Sequence, residues 1–130
     1  MKHFGEHLMI DGYGGSFERL ESKELVMDVI TELPRLLQMR TICEPGIVRF
    51  DGNDVKDPGG WSGYVMIAES HISIHTFSKR GFLTADVYSC KNGLDVETIK
   101  VYFQKKFNLK ELEVNFVKRG TRYPDENIYP

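Results

Sequence analysis

Apolar residues recur along the chain with two periods, one typical of strands and one typical of helices. Stretches rich in β-branched and aromatic residues predict six strands, at residues 3–13, 41–50, 63–68, 72–77, 82–88 and 112–117. Apolar positions at helical spacing predict a first helix with one buried face, formed by Leu25, Val29, Leu33, Leu36 and Leu37. Pro34 is expected to kink this helix or to divide it, because proline removes an amide donor. A second helix is predicted over residues 94–107, with acidic residues early and lysines late.

The order of these elements predicts an α+β fold in a single domain covering residues 1–130. We expect a mainly antiparallel sheet with the two helices on one face. Residues 51–61 are dense in turn formers and are expected to form an exposed loop. The other face of the sheet then needs cover, either from side chains that tolerate solvent or from a second protomer.

Composition and charge narrow the function classes. The 130 residues include 17 basic and 19 acidic side chains, for a formal net charge of −2. No cluster of lysine and arginine stands beside an aromatic platform, so nucleic acid is an unexpected partner. No stretch is apolar enough for a signal peptide or a membrane span, and the chain is therefore expected to be cytoplasmic. The two cysteines, Cys43 and Cys90, are expected to stay reduced, with Cys43 as a small buried residue.

The chemistry concentrates between residues 62 and 90. A zinc site formed by His71 and His75 fails on a strand, because four residues span roughly 13 Å and two imidazoles then cannot share one ion. We therefore expect no metal. A hydrolase triad of Ser70, His75 and an acid such as Asp86 lacks the flanking glycines that expose such a nucleophile.

A family resemblance gives a third interpretation. The run Glu-Ser-His-Ile-Ser-Ile-His-Thr at 69–76 is preceded by Ser-Gly at 62–63 and followed by Cys90 at the end of the next strand. Together with Gly-x-His-Leu at 5–8, this set resembles the short prokaryotic S-adenosylmethionine decarboxylases. The resemblance covers roughly residues 1–117. It implies the sandwich fold of that family and an inactive precursor that cuts itself to make a covalently bound pyruvoyl cofactor.

The resemblance also implies a role for each residue. Ser70 would attack the carbonyl of Glu69 and become the pyruvoyl group, giving chains 1–69 and 70–130. His75 would be the proton acceptor in processing, and Ser62 would assist by hydrogen bonding. The pyruvoyl ketone would form a Schiff base with the substrate amine and take up the electrons left by CO₂, which no ordinary side chain can do. Cys90 would be the proton donor in catalysis, and a thiol does hold its proton at neutral pH.

The substrate is less firmly indicated than the cofactor. Four residues beyond the processing histidine, relatives that use S-adenosylmethionine tend to have a glutamate that binds the ribose, whereas this chain has Lys79, which has only hydrogen-bond donors. Glu6 suits a cationic group, His7 is a candidate for the lining of the site, and Phe50, like Trp61, is available to stack on an adenine. S-Adenosylmethionine remains the default substrate, in polyamine biosynthesis. The alternatives are an ornithine or arginine decarboxylase of the same family, and a non-catalytic regulatory homologue.

One geometric problem follows from the strand prediction. Five residues along a regular strand place Ser70 and His75 on opposite faces and roughly 16 Å apart. Either the chain bends sharply near Ser70, or the partner protomer of a homodimer supplies one of the two residues. The sequence leaves both possibilities open.

Overall fold

The computed structural model describes residues 2–53, 57–68 and 70–128. One sheet of six strands has the spatial order β2-β3-β4-β5-β1-β6, and all neighbouring strands are antiparallel. The strands are β1 (Gly5–Tyr13), β2 (Gly46–Phe50), β3 (Gly60–Ile67), β4 (Ser70–Phe77), β5 (Phe82–Ser89) and β6 (Glu111–Arg119). This sheet confirms the predicted fold class.

Three helices cover one face of the sheet: α1 (Phe17–Leu20), α2 (Lys23–Leu36) and α3 (Val96–Phe107). Each begins at a short polar side chain that accepts from a backbone N–H in the first turn, and these N-caps are Ser16, Ser22 and Asp95. Helix α2 lies so close to β3 that a Cβ on Gly63 would come within 3.2 Å of Val26 Cγ1. The glycine therefore sets the distance between helix and sheet.

The prediction for the first helical segment was wrong in two details. The break lies at residues 21–22, between α1 and α2, whereas Pro34 lies in the last turn of a continuous α2. The helix continues through Pro34 although the proline nitrogen cannot donate to the carbonyl four residues back. The fully buried positions of α2 also include Val26 and Ile30, which the predicted face omitted, while Leu36 is 53% exposed. The true apolar stripe is rotated toward these residues because α2 packs against the sheet and α3 together.

The predicted strand at 41–50 is only partly formed. Regular pairing begins at Gly46, and the preceding segment contributes an isolated bridge between Thr41 and Ile67. The predicted loop at 51–61 ends earlier than expected, because Gly60 and Trp61 already belong to β3. A Cβ on Gly60 would collide with the carbonyl oxygen of Thr76, so the entry to β3 requires glycine.

The two faces of the sheet differ in their surroundings. Alternate strand residues such as Leu8, Val65, Ile72 and Ala85 form one buried core with the helices. The residues between them form a second face, which we call the open face, and no other element of the described part of the chain forms a layer over it. Its large exposed side chains include Val48, Phe50, Tyr64, Met66 and Val117, each at least 41% exposed.

Candidate active site

Ser70 opens β4 on the helix side of the sheet. It is 5% exposed, and its Oγ accepts a hydrogen bond from the backbone N–H of Cys90 at 3.0 Å. Strand pairing accounts for the meeting, because β4 and β5 are adjacent and Cys90 directly follows Ser89, the last residue of β5. The two residues line a cavity of about 250 Å³, whose other walls include Met39, Arg40 and Lys91.

The segment before β4 is paired on both of its edges. Ile67 is the register partner of Ser70, and on the other side it bridges to Thr41. Ala68 N–H donates to the carbonyl of Arg40 at 3.0 Å, and Met66 N–H donates to Cys43 Sγ at 3.4 Å. The chain leading to residue 69 is therefore held firmly up to Ala68. Glu69, the predicted acyl side of the cleavage, lies outside the described residues.

Ser62 and His75 form a second pair, on the open face. They are register partners on β3 and β4, and Ser62 Oγ lies 2.8 Å from His75 Nδ1. Strand β4 is regular from Ser70 to Phe77, so the five-residue separation places Ser70 and His75 on opposite faces of the sheet. The chain thus brings together Ser70 with Cys90, and Ser62 with His75, but not the first pair with the second.

Comparison with known proteins shows the family of the chain. The family model for S-adenosylmethionine decarboxylase matches residues 6–120. An S-adenosylmethionine decarboxylase proenzyme of Clostridium botulinum strain Hall is 31% identical over 120 residues, covering 92% of this chain and 97% of the relative. The chain belongs to the S-adenosylmethionine decarboxylase family.

Two further proteins support this assignment. A proenzyme of the same name from Thermococcus gammatolerans is 30% identical over 124 residues, covering 95% of this chain and 82% of the relative. The crystal structure of the adenosylmethionine decarboxylase from Aquifex aeolicus has a TM-score of 0.80 at 25% identity and covers 99% of this chain and 100% of that one. The chain is therefore a decarboxylase proenzyme of this family, as predicted.

The residues predicted to contact substrate lie in several places. Phe50 ends β2 on the open face and is 45% exposed. Lys79 is exposed in the 3₁₀ turn Ser78–Arg80 that follows β4, four residues beyond His75. Both therefore lie at the same end of the sheet as the Ser62 and His75 pair. Trp61 donates its ring N–H to the carbonyl of Glu21 at 2.7 Å and stacks with Arg49, so it packs within the chain.

His7 lies on the open face within a polar cluster. Its Nε2 is 3.0 Å from Asp86 Oδ1, and its ring meets those of His71 and Tyr88 edge to face. Asp11 lies two register pairs from Asp86, and burial, together with the carboxylates of Glu113 and Asp86, raises the pKa of Asp11. No group of three or more metal-ligating side chains occurs among residues 2–53, 57–68 and 70–128.

Glu6 is buried on the helix side, with 6% exposed. Its Oε1 accepts from the backbone N–H groups of Gly93 and Leu94 at 3.0 and 2.9 Å, and its Oε2 lies 3.0 Å from His3 Nε2. The expected contact of Glu6 with a cationic substrate group stays a prediction, but both oxygens already have partners within the chain. The sequence showed an unusual acid at this position but nothing that pointed to the loop it contacts.

Two smaller expectations have clear outcomes. Both cysteines are free thiols, and Cys43 is exposed rather than buried, since it lies in the segment that pairs beside Met66. In the described part of the chain, no helix is long and apolar enough to cross a membrane.

Proposed function

We propose that this chain is the precursor of a pyruvoyl-dependent S-adenosylmethionine decarboxylase that cuts itself between Glu69 and Ser70. The observation that carries the proposal is the hydrogen bond from Cys90 N–H to Ser70 Oγ beside an open cavity. It unites the residue that becomes the cofactor with the residue that returns the proton. The family match and the proenzyme names of the relatives support the same conclusion.

Processing begins at the Ser70 hydroxyl. Its oxygen attacks the carbonyl carbon of Glu69 and replaces the amide nitrogen, which converts the amide into an ester. His75 then takes the α-proton of residue 70, so that the carboxyl group of Glu69 leaves and dehydroalanine remains. Loss of ammonia after addition of water leaves a pyruvoyl group on chain 70–130, with chain 1–69 as the other product.

The surroundings of Ser70 suit such a group. The residue is buried against Cys90, and the cavity beside it leaves room for a substrate amine. The pyruvoyl ketone supplies the electron sink that decarboxylation of an amino acid requires. Cys90 supplies the proton that replaces CO₂ on the substrate. Arg40 and Lys91 give part of the cavity lining a positive charge.

The separation of Ser70 from His75 favours a homodimer. The histidine that acts on residue 70 comes from the partner, because the same chain holds its own His75 on the other face and roughly 16 Å along the strand. The open face is the contact surface, since apolar side chains such as Tyr64 and Met66 are exposed there without a partner layer. A two-fold axis through the open face then brings the Ser70 end of β4 in each copy beside the His75 end of β4 in the other. Because the Ser70 side chain lies on the helix side, His75 of the other copy reaches residue 70 around the end of the strand.

S-Adenosylmethionine is the substrate that the family match favours. In the dimer, Phe50 and Lys79 come with the His75 pair, and they are the candidates to contact its adenosyl part. Lys79 binds as a donor only, so any contact with the ribose is made through hydroxyl oxygens. His7 is a candidate on the open face.

A denaturing gel tests the processing step. Fresh protein is expected to give two fragments of unequal size, and chain 70–130 is expected to be blocked to Edman sequencing. Ser70→Ala, with Ser73→Ala as the matched control on the same strand, is expected to remain one band. An uncut wild-type band would overturn the proposal.

Release of labelled CO₂ tests the substrate. Cleaved protein is expected to release it from S-adenosylmethionine and to lose on the order of 100-fold in rate with Cys90→Ala, the loss expected when a proton donor is removed. Release from ornithine or arginine alone would contradict the proposed substrate while leaving the cofactor intact.

A further inference from the structure

The loop that follows β5 begins with Cys90 and leads to α3. It contains Gly93, whose φ of +87° is open to glycine but strained for other residues. This geometry turns the N–H groups of Gly93 and Leu94 toward one oxygen of Glu6, which accepts both. Burying a carboxylate is costly unless it is hydrogen bonded, and here both oxygens have partners.

The other polar contacts of this loop lead back to the same neighbours. Cys90 N–H donates to Ser70 Oγ, and Lys91 N–H donates to Ser89 Oγ, both at 3.0 Å. The side-chain amide of Asn92 donates to the carbonyl of His3 at 3.1 Å. Every residue from 90 to 94 thus gives a hydrogen bond to β4, to β5, to β1 or to the segment that leads into β1. Glu6 alone among these acceptors carries a charge, and charged acceptors form the stronger bonds.

We infer that Glu6 is a positioning residue: it holds the loop that carries Cys90 and so directs the proton to the correct carbon. This inference rests on the proposed function. Glu6 lies opposite Ser89 in the pairing of β1 with β5, so the carboxylate holds the loop from directly beside the end of the strand. In the uncut chain Cys90 N–H is bound to Ser70 Oγ, an oxygen that leaves with Glu69 on cleavage. The bonds from Gly93 and Leu94 to Glu6 do not involve that oxygen, so they can hold the loop that carries the thiol after cleavage as well.

The direction of the proton matters for chemical reasons. After CO₂ leaves, the electron pair is shared between the α-carbon of the substrate and the former ketone carbon of residue 70. Protonation of the α-carbon, followed by water, gives the amine product and restores the ketone. Protonation of the residue 70 carbon, followed by water, leaves the nitrogen of the substrate on residue 70 as alanine and releases the rest as an aldehyde. Each protonation at residue 70 therefore inactivates one site and leaves an N-terminal alanine that can be detected.

The test compares Glu6→Ala and Glu6→Gln with Glu24→Ala, an exposed glutamate on α2. Cleaved protein is incubated with S-adenosylmethionine, and chain 70–130 is then sequenced from its N-terminus. We expect Glu6→Ala to accumulate chains that begin with alanine about tenfold faster per turnover than wild type, because the loop amides lose their acceptor. Glu24→Ala is expected to match wild type. Equal accumulation in Glu6→Ala and wild type would overturn the inference.

A second readout is independent of turnover. In a Cys43→Ser background, the rate of iodoacetamide alkylation reports the freedom of Cys90, and amide hydrogen exchange reports the freedom of Gly93 and Leu94. Both are expected to rise about tenfold in Glu6→Ala. Glu6→Gln keeps one acceptor oxygen and is expected to fall between wild type and Glu6→Ala.

The Gln variant also decides the outcome if Glu6→Ala does not fold. Wild-type rates of alkylation and exchange in Glu6→Gln would then contradict the inference, and raised rates would support it. If wild-type protein neither cuts itself nor releases CO₂, the proposed function fails. Alkylation and exchange would still show whether Glu6 holds the loop, so the two failures are distinguishable.

Discussion

The two ends of β4 face different surroundings. Ser70 begins the strand among buried side chains, 5% exposed and bound by Cys90 N–H, whereas His75 lies on the exposed open face beside Ser62. A strand of regular two-residue period places residues five apart on different faces. Under the proposed function, one chain then holds two half-sites, and a second copy is needed to complete the site.

Removal of His75 gives the largest expected effect on this comparison. His75→Ala is expected to slow self-cleavage by about 10²–10⁴-fold, because the base that takes the α-proton is lost. His71→Ala removes an imidazole from the same face of the same strand and is expected to leave cleavage close to wild type. The rate is measured on denaturing gels of protein sampled after synthesis. Normal cleavage in His75→Ala would show that the open-face half is not part of processing.

A charge introduced on the open face tests whether this face is the contact surface of the dimer. Met66→Glu places a carboxylate among the apolar side chains of that face and is expected to weaken dimerisation on the order of 100-fold, since an unpaired charge resists burial. Leu36→Glu is the matched control, because Leu36 is 53% exposed, on the helix side, against 45% for Met66. Analytical ultracentrifugation measures both. A wild-type dimer in Met66→Glu, or a monomer in Leu36→Glu, would place the contact elsewhere.

Asp11 offers a smaller test of the open face. Burial, then Glu113 and Asp86, raises its pKa in the folded chain, so the ionised group destabilises the fold at neutral pH. The carboxyl group of Asp11 keeps its proton to a higher pH in the folded chain than in the unfolded chain. The free energy of unfolding therefore falls as the pH rises from the ordinary carboxyl pKa to the raised pKa of the folded chain. Asp11→Asn is expected to raise Tm by a few degrees at pH 7. The gain should vanish below the ordinary carboxyl pKa, and a gain that persists there would have another cause.

Strand pairing explains both pairs of candidate site residues. Ser62 and His75 are neighbours because β3 and β4 pair as antiparallel strands in a register that places these two residues opposite each other. Ser70 and Cys90 meet for the same reason across β4 and β5. Local hydrophobic pattern was enough for these hairpins and for the fold class, because alternation sets which side chains are buried.

What the sequence did not predict depends on contacts between distant segments. The carboxylate of Glu6 meets Gly93 and Leu94 only because β1 lies beside β5, an arrangement that no local pattern specifies. The pairing of Arg40 and Thr41 beside the cleavage segment likewise depends on where α2 ends. The predicted buried face of α2 omitted Val26 and Ile30. The buried stripe is wider than predicted because α2 packs against both the sheet and α3.

Coexpression of two inactive variants tests the split site most directly. Ser70→Ala cannot be cut but keeps His75, and His75→Ala keeps Ser70 but lacks the base, so the two chains together make one complete site in a mixed dimer. With distinguishable tags, we expect that His75→Ala is cleaved when Ser70→Ala is present and that Ser70→Ala is never cleaved. If His75 acts on the serine of its own chain, neither variant will be cut in the mixture, and that result would contradict the account.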